Sequence, residues 1–170
     1  MPLSAPSIPA LLRVIPPLSV GLLIVLQAVL IPGLNLGAFK PEMGLMGVFF
    51  WAASGAGMFS YLAAFVLGFG QDLLMGLPLG ITALGFMLAV YVAHRWRVRP
   101  GSEHFARHWL GFALCAGIVV PLTWAGVMLF YSAMLPPLTP LLESLTTVAL
   151  YPLLYRVLRR IRVLAQRRGM

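Results

Sequence analysis

Between positions 43 and 94 the chain runs 52 residues with a single formal charge, Asp72. Positions 14–31 add 18 uncharged residues, positions 109–142 hold no charge, and positions 144–155 are uncharged again before an arginine-rich tail. A water-soluble domain averages about 25% charged and about 45–50% apolar residues, against 9% and 61% here. A soluble fold of this length cannot hide so much apolar side chain, because its surface still needs polar cover. Lipid is therefore the expected solvent, and residues 1–170 form one polytopic, all-α integral membrane domain.

Crossing the hydrocarbon core takes about 20 helical residues. The first apolar run stops at Pro32-Gly33. A cleaved signal peptide is a rival for it, but the run is long for such a segment and no small-x-small site closes it. Ser54-Gly55-Ala56-Gly57 and Gly76-Leu77-Pro78-Leu79-Gly80 divide the long central run in three. The spacing predicts six transmembrane helices joined by short loops, at about 14–31, 41–53, 57–74, 77–95, 109–131 and 136–160. With six spans, 11 of the 12 basic residues fall on one side and only Lys40 lies opposite. Cytoplasmic loops carry such an excess, so both termini are expected in the cytoplasm of a multi-pass membrane protein. A five-helix count places Arg13 outside and Lys40 inside, a poorer asymmetry.

The net charge of +8 thus reads as an orientation signal rather than a nucleic-acid surface. No loop exceeds about 15 residues, too few for an ATP-binding domain, and no inverted repeat supports a secondary transporter. The lone Cys115 excludes a disulfide framework or a cysteine-built metal site within one chain. His104 and His108 are spaced as helical ligands are, but lie among arginines that repel a cation, and read as solvated loop histidines. No nucleophile–base pair, catalytic carboxylate pair or phosphate cradle can be assembled, so neither enzyme activity nor a cofactor or metal is expected.

Four features remain. Asp72 lies near the end of the third helix, where a carboxylate opposes the helix dipole, so it calls for a hydrogen bond from the following Gly76–Gly80 linker or for a partner. Glu143, Thr146 and Thr147 share one face of the last helix and should meet other helices or a polar cavity rather than acyl chains. Gln27 can bond a neighbouring helix. Arg156, Arg159, Arg160 and Arg162 alternate with apolar residues and can pair with anionic lipid headgroups.

The segment Gly68-Phe69-Gly70-Gln71-Asp72-Leu73-Leu74-Met75-Gly76-Leu77-Pro78-Leu79-Gly80 resembles the signature block of the MreD family of bacterial rod shape-determining membrane proteins, G-x-x-x-D-x-x-x-G-x-P-L-G. Gln27, Pro32 and Lys40-Pro41-Glu42 are similar to that family's Gln, Pro and Arg-Pro-Asp positions, with Glu42 standing where Asp is common. Leu150-Tyr151-Pro152 before the arginine cluster is similar to its last helix. Ser54-Gly55-Ala56-Gly57 departs from a family turn that often carries basic residues.

The resemblance implies a six-helix fold like the substrate-binding subunits of energy-coupling-factor transporters. It also implies a non-enzymatic scaffold of the cell-wall elongation machinery that binds MreC directly, with the MreB filament, RodA and the elongation-specific transpeptidase in the wider complex. Pro41, Glu42, Gly68, Asp72, Gly76, Pro78 and Gly80 become the candidate partner interface. A small-molecule-binding membrane subunit of a transporter is the alternative, and nucleic acid is not an expected partner.

Overall fold

A computed structural model describes residues 10–34, 39–55, 59–96, 105–132, 136 and 138–168. Six helices follow in order: α1 (Ala10–Leu34), α2 (Met43–Ser54), α3 (Tyr61–Met75), α4 (Ile81–Arg95), α5 (Phe105–Tyr131) and α6 (Leu138–Arg168). No strand occurs among the described residues. The stretches of 27 residues in α5 and 28 residues in α6, up to Ala165, are long and apolar enough to cross a membrane. The shorter α2, α3 and α4 have 12, 15 and 15 residues.

The observed α1, α5 and α6 outrun the expected bounds, because the apolar run marks where lipid begins and not where hydrogen bonding ends. Arg107 and His108 lie in the first turns of α5, and α6 continues through the arginines to Arg168. In the other direction α3 starts at Tyr61 rather than 57, because Ser60 accepts a hydrogen bond from the Ala63 amide at 3.1 Å and caps the helix there. Of the expected break between α2 and α3, residues 56 and 57 lie outside the described residues, as do His104, Arg97 and Arg99.

Helix α2 is the axis of the bundle. Every residue from Gly44 to Ala53 is buried, as a helix apolar on all faces must be. It packs against α1, α4, α5 and α6, while α3 lies on α4 and α1. Phe49 and Phe50 join Phe112, Tyr151, Tyr155 and His108 in an aromatic cluster, with Phe112 and Tyr151 stacked at 3.9 Å. His108 is therefore not a solvated loop residue. It is a half-buried helix residue whose Nδ1 lies 2.9 Å from the Tyr151 hydroxyl.

The radial distribution of polarity is inverted relative to a water-soluble bundle. Gln27, Gln71, Asp72, Thr82 and Thr147 are buried, while Leu22, Val29, Leu62, Leu73, Leu122, Leu129 and Leu153 stand outward. Apolar exposure on this scale needs an apolar solvent, and the buried polar side chains must satisfy one another within the bundle.

The two ends of the bundle differ. At one end the Trp96 indole donates to the Arg107 carbonyl at 3.0 Å and Phe105 packs on Tyr155. Arg95, Arg107 and the α6 arginines thereby gather together. The other end carries Lys40, the start of α2, the α3–α4 turn, the end of α5 and the start of α6.

Candidate functional site

The Lys40 end is built around the α3–α4 turn. Gly76 closes α3 in the left-handed conformation, φ 64°, and Gly80 opens α4 at φ 95°. Both positions need a residue without a Cβ. Asp72 is fully buried, and its two carboxylate oxygens accept from the Gly80 amide at 2.8 Å and the Thr82 amide at 3.1 Å. The carboxylate that opposes the α3 dipole is thus seated on the N-terminus of α4, where dipole and free amides both favour a negative charge. Pro78 is buried, and the Tyr131 hydroxyl donates to the Gly76 carbonyl at 3.2 Å, tying α5 to the turn.

Gly68 sets how closely α3 approaches α4. A Cβ on Gly68 lies 2.5 Å from the Ala83 Cα and 2.7 Å from the Ala83 nitrogen, both backbone atoms. This motif glycine is therefore a packing residue.

Glu42 precedes α2 but does not cap it with its own side chain. Gln27 of α1 does so, its Oε1 accepting from the Met43 amide at 2.8 Å and the Gly44 amide at 3.2 Å. The Glu42 carboxylate instead accepts from Gln71 Nε2 of α3 at 2.9 Å, and its amide donates to Thr147 Oγ1 of α6 at 3.0 Å. Burial pushes the Glu42 carboxyl above its ordinary 4.5, against hydrogen bonds from Gln71 and Gln27 that favour the charged form. Glu143 of α6 neighbours this carboxyl.

The expected sites therefore separate. Pro41, Glu42, Asp72, Gly76, Pro78 and Gly80 converge on the Lys40 end, joined by Gln27, Glu143 and Thr147. Thr146 shares Glu143's helix face but bonds back to the carbonyls of Leu142 and Glu143, each at 3.0 Å, within its own helix. Arg156, Arg159 and Arg160 are exposed at the opposite end and Arg162 is half-buried there. Gln71 was missed as a site residue, although it stands beside Asp72 in the quoted motif. An amide inside an apolar helix was the available signal.

A cavity of about 510 Å³ lies at this end, lined by residues of α1, α3, α4, α5 and α6 and by Lys40, Glu42 and Leu45. Its walls are mostly apolar, and Glu42, Glu143 and Lys40 bring the charges. No group of three or more His, Cys, Asp or Glu side chains able to hold a metal ion occurs among the described residues.

Compared with known proteins, residues 10–161 match the family model for rod shape-determining protein MreD. The match covers most of the chain, which therefore belongs to that family. No curated protein and no solved structure matched.

Proposed function

We propose that this member of the MreD family is a six-span inner-membrane scaffold that binds MreC and so helps position lateral peptidoglycan synthesis. Membership of the family brings a role in rod shape determination; the partner and the scaffolding mechanism are the proposal. Both termini lie in the cytoplasm in this reading, and the Lys40 end faces outward.

The observation that carries it is the braced Lys40 end. Asp72, Gln71, Gln27, Glu42 and Thr147 link α1, α2, α3, α4 and α6 by hydrogen bonds of 2.8–3.2 Å. Such a network holds several helix ends in one arrangement, which pre-organises a surface for a partner and lowers the ordering cost of binding. Around it the exterior is apolar, suited to packing against another transmembrane segment.

The test is co-purification with MreC from membranes, using Asp72→Ala and Pro78→Ala chains present at wild-type amount, alongside cell shape. Reduced MreC yield and rounded cells are expected. Wild-type yield with normal rods removes the interface role of this block.

The cavity favours a second reading, a small-molecule-binding subunit of a transporter, since convergent polar groups in a concave apolar site are what ligand pockets offer. Native mass spectrometry separates the two readings: retained MreC supports the scaffold, and a retained metabolite without MreC supports transport.

A further inference from the structure

The cavity at the Lys40 end has the size of a small-molecule site, about 300–1,000 Å³ across proteins, at about 510 Å³. Leu74, Leu77, Ile81 and Val127 give it apolar walls. Its polar groups are unevenly used. Gln27 is committed to the start of α2, and Asp72, outside the lining, is committed to the start of α4. Glu42 and Glu143 are neighbours on its wall, and Lys40, also in the lining, is exposed at the rim. The indole Nε1 of Trp124, a wall residue, is buried without a hydrogen-bond partner among the described residues, which is costly unless something supplies an acceptor.

We propose that this cavity binds a small zwitterion: a primary ammonium between Glu42 and Glu143, an anionic group toward Lys40, and an apolar remainder against the leucine and isoleucine walls. Two acids and one base in a concave, mostly apolar site match one cation and one anion on the same ligand. Carboxylate oxygens accept N–H donors, which a primary ammonium has and a quaternary one lacks. The ammonium lies between the two carboxyl groups, and the anion gives Trp124 an acceptor within the same cavity. Phosphoethanolamine carries both charges, either as a free molecule or as the head of an aminophospholipid. The assignment does not depend on the protein partner proposed above.

The test uses the full chain in phosphatidylcholine nanodiscs. Phosphoethanolamine is titrated while Trp emission and melting temperature are read, with Trp124→Phe identifying the responding indole. A saturable response is expected, and phosphocholine should give none. Loss of one charged hydrogen-bonding partner should weaken binding about tenfold or more, both in Glu143→Gln and in Lys40→Gln, whose exposed side chain can be replaced without disturbing the fold. In a second arm the nanodiscs contain phosphatidylethanolamine. Stabilisation by this lipid alone identifies the bilayer as the source of the headgroup, and a response to the soluble compound identifies a free ligand. The proposal is overturned by silence in both arms, by an equal response to phosphocholine, or by responses that Glu143→Gln and Lys40→Gln leave unchanged.

Discussion

Asp72 shows how one residue can be costly in one helix and stabilising through the next. It ends α3, where its charge faces the wrong end of a dipole, yet both carboxylate oxygens accept α4 amides. Asp72→Ala leaves the half-buried Gly80 amide and the buried Thr82 amide without that acceptor and should destabilise the protein by about 2 kcal/mol. Asp72→Asn keeps one acceptor oxygen and should lose roughly half as much; thermal unfolding in detergent checks both. Glu42 gives a pH signature. Its raised pKa means that the native state holds the proton more tightly than the unfolded chain. That stabilisation is complete below the ordinary carboxylate pKa and is lost as pH rises through the native value. Glu42→Gln keeps a side chain of the same size and cannot ionise, so its melting temperature should gain on the wild type as pH rises from about 4 through the raised native value. A constant difference across that range contradicts the burial argument. Asp72 was legible in the sequence because an acid in an apolar run announces itself. Gln71 was not, since it carries no charge and its partner Glu42 lies 29 residues away.

At the scale of elements, the α3–α4 hairpin was the most legible part of the fold, because Gly76, Pro78 and Gly80 prescribe a turn whatever surrounds it. Helix ends were less legible where charged residues lie on helices that continue beyond the apolar run, as in α5 and α6. The start of α3 followed a local cap, Ser60, rather than the preceding glycines. Two glycines two residues apart test how the hairpin is packed. Gly68→Ala drives a methyl group into the Ala83 backbone, which cannot swing aside as a side chain can, and should cost about 1–3 kcal/mol. Gly70→Ala meets nothing within 4 Å and replaces a helix-interior glycine, so it should stabilise by about 0.5–1 kcal/mol. Opposite signs in the two melting curves are expected. Equal effects place the tight α3–α4 contact elsewhere.

For the whole molecule, sequence and structure constrain different things. Apolar runs indicate lipid as solvent and the arginine distribution gives a direction, but neither reveals that α2 is enclosed by the other helices or that the Lys40 end is hollow. Those features arise from contacts between helices distant in the chain, such as Glu42 with Thr147, 105 residues apart. The proposed orientation can be tested on this fold because the native Cys115 is fully buried and should leave a low labelling background. Lys40→Cys and Arg160→Cys place thiols at exposed positions on opposite ends of the bundle. In intact spheroplasts a membrane-impermeant maleimide should modify Lys40→Cys and spare Arg160→Cys until the membrane is opened. Protection of Lys40→Cys favours the five-span arrangement, which puts that loop in the cytoplasm, and labelling of Arg160→Cys from outside reverses the orientation. Either result also moves the cavity: only with six spans and the arginines inside does the Glu42–Glu143 pair open toward the side of the membrane on which the cell wall is assembled.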